Sequence, residues 1–168
     1  MRHDIVVFNH THRGVINRIL TFIKDAYADN LISLAIYGSY ASGTARLNSD
    51  LDLFIILSKT GRRTAELKYF YDKVEAPLEN ELLQLLKIQK IDMSISPFIV
   101  SREQASFFNP LYLDMSDDAY IVYDKDDFLR SILIKVGVLK QRYNFQKKSI
   151  SNTFLWDMSS HVMIGQRL

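Results

Sequence analysis

The chain has 168 residues, 48% of them apolar and 24% charged, with three prolines. That suits one domain with a hydrophobic core and excludes a disordered or fibrous composition, and the length is too short for a catalytic domain plus a full-sized substrate domain. Its 21 basic and 19 acidic residues leave a formal charge of only +2, and it has no cysteine; nucleic acid is therefore not expected as the principal partner, and disulfides, thiolate metal sites and cysteine nucleophiles are excluded.

No apolar run approaches the roughly 20 residues that span a bilayer, and the first one, Ile5 to Phe8, is too short for a signal peptide. The expectation is a cytoplasmic protein without membrane contact. Val15, Ile16, Ile19, Leu20, Ile23 and Tyr27 recur at helical spacing, which predicts an amphipathic helix over 11–28. Residues 31–37 and 51–57 read as neighbouring strands. The unbroken Leu-Asp-Leu-Phe-Ile-Ile-Leu of the second is the composition of a central strand covered on both faces. Between them, 38–49 is rich in Gly, Ser, Thr and Asn, with room for a turn and a helical turn or two around Tyr40 to Ala45.

Residues 62–87 are helical in pattern, with Pro77 predicting two helices or a kink. A third strand is expected over 91–100, Pro97 placing its far end at a sheet edge, and Ser101 with Gln104 resembles a capping box. A fourth strand is expected at 119–123. A helix follows over 126–143, where Gly137 costs about 1 kcal/mol relative to alanine. The tail from Asn144 has no clear pattern. Residues 1–125 form the expected main domain, with 126–168 as a helix and tail packed on it or used for partner or dimer contacts.

The chemistry concentrates in Gly38-Ser39-Tyr40-Ala41-Ser42-Gly43-Thr44-Ala45-Arg46-Leu47-Asn48-Ser49-Asp50-Leu51-Asp52. Residues i and i+2 of a strand share a face about 7 Å apart, so Asp50 and Asp52 can share one metal cluster. Two ionised carboxylates on an apolar strand repel each other, and one takes up a proton unless a cation such as Mg2+ compensates. Gly38 and Ser39 end the first strand, where backbone amides and the Ser39 hydroxyl can receive phosphate oxygens. Gly43 permits a similarly close approach. Arg46 either reaches a triphosphate oxygen or points into water, and Ser49 is grouped with these nucleotide-binding residues. Asp92, flanked by apolar residues, reads as a third carboxylate from an adjacent buried strand.

The Gly-Ser, ten residues, Asp-x-Asp pattern resembles the nucleotidyltransferase superfamily of the polymerase-beta-like fold. Within it the likeness is to the minimal nucleotidyltransferases, short proteins often paired with HEPN-domain partners. The resemblance runs over about 31–100. It implies an α+β fold with a mixed sheet and a short helical C-terminal appendage. It also implies Asp50 and Asp52 as ligands of Mg2+, in a two-metal site that holds ATP or another nucleoside triphosphate, and Asp92 as a ligand of the catalytic metal that helps deprotonate the attacking hydroxyl. The implied reaction moves AMP onto a hydroxyl, such as a tyrosine of a HEPN-type toxin, and gives this chain an antitoxin role. A homo-oligomer remains open. Ser42 departs from the family pattern, since many relatives carry a basic residue before the second glycine.

Two other readings stand beside this one. Transfer onto a small molecule resembles the aminoglycoside nucleotidyltransferases, and a silent binding module would neutralise a partner by occlusion. The bland reading of Asp50 and Asp52 is a solvated strand start, and that of Asp92 a pair with Lys90. His10 and His12 read as solvated residues near a helix start rather than metal ligands. Tyr69, Phe70 and Tyr71 read as core or partner surface rather than a base-stacking platform. Lys140, Arg142, Lys147 and Lys148 read as a solvated helix end rather than a nucleic-acid contact.

Overall fold

A computed structural model describes residues 4–150, 153–158 and 165–168. The apolar runs Leu31–Tyr37 (β1), Leu51–Leu57 (β2), Ile95–Ser101 (β3) and Tyr120–Asp124 (β4) form one mixed sheet in the order β3-β2-β1-β4. β1 pairs antiparallel with both β2 and β4, and β2 pairs parallel with β3. A parallel neighbour needs a crossover, and the helical stretch between β2 and β3 supplies it. That stretch comprises Arg63–Phe70 (α3), a π turn at Tyr71–Glu75, a 3-10 turn at Ala76–Leu78 that takes up Pro77, and Glu79–Gln89 (α4). The expected break at Pro77 is therefore a change of helical type.

β2 is central and covered on both faces, as its composition requires. Leu51, Leu53, Ile55 and Leu57 face a core shared with helix His10–Tyr27 (α1) and the crossover. Phe54 and Ile56 face a second core, built from helices Leu111–Asp118 (α6) and Phe128–Arg142 (α7). All six apolar residues expected on the α1 stripe are buried. The mixed α+β class is as expected. Among the described residues no helix is long and apolar enough to cross a membrane.

The third strand starts later than its composition suggests, at Ile95 rather than Ile91. Leu51 pairs with Ile95, and β2 has no residue to offer before Leu51, so 91–94 run past the end of their partner. The capping box forms: the Ser101 side chain accepts from the Gln104 amide and opens Arg102–Ala105 (α5). Asp124 ends β4 and accepts from the Leu129 and Arg130 amides at the start of α7, at 2.9 Å each. It also accepts the buried Ser33 hydroxyl of β1 at 2.6 Å.

The tail, illegible in sequence, is a hairpin of Gln146–Ile150 (β5) and Thr153–Asp157 (β6) in which Lys147 pairs with Trp156. Residues 165–168 return to the loop after α5, where the Leu168 amide donates to the Ser106 carbonyl at 2.8 Å. Three of the four residues of the basic cluster form ion pairs, Lys140 with Asp117, Lys147 with Asp114 and Lys148 with Asp157, the last two open to solvent.

His12 is fully buried, unlike the exposed His10. Its ring stacks on Phe8 at 5.0 Å. Nδ1 accepts the Phe8 amide at 3.2 Å, so in the neutral ring the proton sits on Nε2 and is donated to the Tyr40 hydroxyl 3.2 Å away. Burial holds the His12 pKa below its ordinary 6.5. A histidine with a depressed folded pKa supports the fold fully above the unfolded pKa and loses that support as pH falls toward the folded value. Thermal stability is thus expected to fall as pH drops below about 6.5, and His12→Gln, which takes up no proton, should flatten that slope. An equal slope in both proteins would assign the loss to other groups.

Candidate active site

The site lies where β1 and β2 leave the sheet. Tyr37, the last residue of β1, pairs with Asp52, and Gly38–Ser42 (α2) begins at the next residue. Gly38 has φ +65, a conformation open to glycine at little cost, and faces the Asp52 carboxyl directly. A Cβ on Gly38 would overlap Asp52 Oδ2 and stand 3.0 Å from its Cγ. Gly43, at φ 87, ends α2, and the Ser39 carbonyl gathers the amides of Gly43, Thr44 and Ala45 at 3.0–3.1 Å. Tyr40, fully buried, anchors α2 through its contact with His12.

Asp50 is exposed just before β2, and Asp52 is half-buried on it. Strand alternation puts both on the face covered farther along by α6 and α7. Burial raises the Asp52 pKa above the ordinary 3.8, Asp50 raises it further, and a hydrogen bond from Ser96 opposes both. Ser96 is the β3 residue opposite Asp52. The same carboxylates act on their neighbours: burial first, then Asp52, pushes the Tyr37 phenol up to about 12, and burial, then Asp50, pushes Tyr40 to about 12. The site is a negative spot set in an apolar surround.

Asp92 does not complete a three-acid cluster. It is exposed, between the buried Ile91 and Met93, in the stretch before β3, and its amide donates to the Leu47 carbonyl at 2.7 Å. Among the described residues no three His, Cys, Asp or Glu side chains stand together as a metal group. The expectation of an inward-facing acid on a buried strand is not met, since Asp92 is exposed and precedes β3, whose Ser96 stands opposite Asp52. Asp92 sits at the rim, held by its amide beside the loop that leads into Asp50.

The remaining expected residues fall around this centre. Ser39 is half-buried at the start of α2, while Arg46 is exposed. The Ser49 hydroxyl accepts the Arg46 amide at 2.9 Å and the Ser49 amide donates to the Arg46 carbonyl at 3.0 Å, which closes the turn leading into Asp50. A cavity of about 420 Å³ adjoins the loop, with Tyr37, Gly38, Ser39, Ser42 and Thr44 on one side and Asp114, Met115, Asp118 and Lys147 on the other. Composition and periodicity do not reveal Ser96, Asp114 or Lys147 as part of this site, because each arrives from a distant element.

A family model described as a nucleotidyltransferase domain matches residues 16–109. A curated protein of Methanocaldococcus jannaschii, MJ1305, named as a candidate protein adenylyltransferase, is 30% identical over 131 residues, 77% of this chain and 83% of its own. The crystal structure of spectinomycin adenyltransferase AAD(9) from Enterococcus faecialis, with ATP and spectinomycin, matches with a TM-score of 0.55 at 12% identity, over 77% of this chain and 65% of that one. A MntA-HepT toxin–antitoxin structure matches with a TM-score of 0.47 at 14% identity, over 77% and 87%.

Proposed function

We propose, from the premise that the chain belongs to the nucleotidyltransferase domain family, that it moves AMP from ATP onto a hydroxyl of a partner protein. The observation that carries this reading is the contact between the Asp52 carboxyl and the bare backbone of Gly38. One side of that contact offers carboxylate for a cation, and the other offers a loop with no side chain to obstruct phosphate. The M. jannaschii relative supports a protein acceptor, since its name assigns it that substrate class. The motif's likeness to the minimal nucleotidyltransferases supports a tyrosine of a HEPN-type partner, and with it an antitoxin role.

Mg2+ fits the residues present. Asp50 and Asp52 are hard oxygen donors, and a half-buried carboxyl with a raised pKa beside a second acid calls for a cation. Mg2+ commonly takes one or two carboxylates and completes its shell with water and substrate phosphates, so these two acids suffice for one ion. When bound, the ion supplies neutralisation of the triphosphate and of the charge that develops as pyrophosphate leaves. The chain itself orients the phosphates along 38–43, holds Asp52 in place through Ser96, and offers Asp92 at the rim to accept the proton of the incoming hydroxyl.

That division of labour separates two variants. Asp92→Asn should lower turnover by about 10²-fold while leaving the affinity for ATP within about threefold, because a rim base acts on the acceptor. A loss of ATP binding in Asp92→Asn would instead make Asp92 a ligand of the metal–triphosphate complex. The reaction itself is tested by transfer of label from alpha-labelled ATP with Mg2+ in host lysate, comparing the chain with Asp52→Ala. An Asp52-dependent labelled protein band is expected. Label confined to nucleic acid or small molecules would overturn the protein acceptor, and no Asp52-dependent label anywhere would overturn the transferase reading.

A further inference from the structure

The cavity beside the Gly38–Ser39 loop has an uneven charge. Asp114 and Asp118 stand on its α6 wall, Gly38, which abuts the Asp52 carboxyl, lines its other side, and among the described residues lining it Lys147 is the one cation. Ser42 and Thr44 bring only hydroxyls, which bond to each other at 2.8 Å, and the exposed Arg46 is not part of the lining. A nucleoside triphosphate carries several negative charges, so a pocket walled by acids disfavours it unless a side-chain cation joins the metal.

We propose that Lys147, brought in by the C-terminal hairpin, is a phosphate-binding residue of this site and exchanges its Asp114 partner for the triphosphate. This rests on the nucleotidyltransferase reading above and extends its ligand set to a segment outside residues 16–109.

Lys147 Nζ lies 2.6 Å from Asp114 Oδ1, with both side chains over 40% exposed. An ion pair so open to solvent contributes little to stability, and its exchange for a denser negative charge is favourable. The lysine stem is long, and its head is a point charge that requires no fixed fork geometry. Trp156, opposite Lys147 in the hairpin, has its ring centre 5.8 Å from Nζ. Lys148, the next residue, points to the other face of the strand and pairs with Asp157 inside the hairpin. It therefore serves as a matched control. In the free protein Asp114 shields the cavity's cation, and in the complex the hairpin is tied down by the nucleotide.

The test is ATP affinity by calorimetry, on the full chain with Mg2+, for Lys147→Met, Lys147→Arg, Asp114→Asn and Lys148→Met. Lys147→Met should weaken ATP about tenfold or more, the loss expected for a charge-assisted contact, while Lys147→Arg and Lys148→Met stay within about threefold. Asp114→Asn should leave ATP affinity unchanged or tighten it, because it removes a carboxylate that competes with the triphosphate for the lysine. If the pair only fastens the hairpin to α6, Lys147→Met and Asp114→Asn should weaken binding alike, and that result overturns the inference. Unchanged affinity in Lys147→Met overturns it too, with the transferase reading intact. No ATP binding by the unaltered chain overturns both.

Discussion

Gly38→Ala is expected to cut transferase activity by more than about 10²-fold and to destabilise the chain by about 1–3 kcal/mol. Two costs act together. At φ +65 a side chain is strained whatever space surrounds it, and here there is no space, since the new methyl would overlap the Asp52 carboxyl. Asp52 is a short side chain held by a hydrogen bond with Ser96, so relief of the overlap displaces one of the two groups that build the site. Either the loop lifts or the carboxylate turns away, and both move the groups that receive phosphate and cation. Chemical denaturation and the label-transfer assay together check this. Full activity with only a loss of stability would show that the contact is architectural.

Asp52→Asn should have opposite effects on function and on stability. Activity should fall by about 10³-fold, as expected when a ligand of the catalytic ion is neutralised. Without divalent cation the variant should nonetheless melt higher at neutral pH, by about 2–4 °C for each kcal/mol recovered. The sign follows from the pKa. A carboxyl whose folded pKa is raised favours the fold most below its unfolded value, 3.8, and loses that advantage as pH rises through the folded pKa. At neutral pH the unaltered chain carries a half-buried charge next to Asp50, and asparagine removes it while keeping an acceptor for Ser96. Mg2+ should raise the melting temperature of the unaltered chain and leave the variant unchanged. A variant that melts lower in metal-free buffer would mean that Asp52 is already compensated within the protein.

Much of this site was legible because its central parts are local. The runs at 31–37 and 51–57 are apolar without interruption, and both strands form over those very residues. The thirteen residues that join them hold the loop proposed to receive phosphate, so pairing the two strands also sets Gly38 against Asp52. Asp92 failed as an inward acid for a nonlocal reason. Its apolar neighbours fit a buried strand, yet the parallel register set across the α3–α4 crossover begins at Ile95 and puts Ser96 opposite Asp52. Nothing within residues 91–100 encodes that offset. His12 misled in the same manner: a histidine near a helix start reads as solvated until Phe8 and Tyr40, from either side of the chain, are seen to enclose it. The tail hid Lys147 because a five-residue polar strand has no periodic signature.

The pairing of Tyr37 with Asp52 is the last rung of the β1–β2 ladder before the chain turns away. Rungs at the end of a ladder fray at a far smaller free-energy cost than unfolding the core. The acids and the phosphate loop are therefore seated at the seam of the sheet that can part while Leu53 to Ile56 stay closed, all of them fully buried. That seam can breathe on its own, and a nucleotide bound as proposed across residues 38 and 52 would act as a clasp on it. Occupancy then becomes visible as slowed deuterium uptake at the strand ends, with no change in the slow amides of the interior.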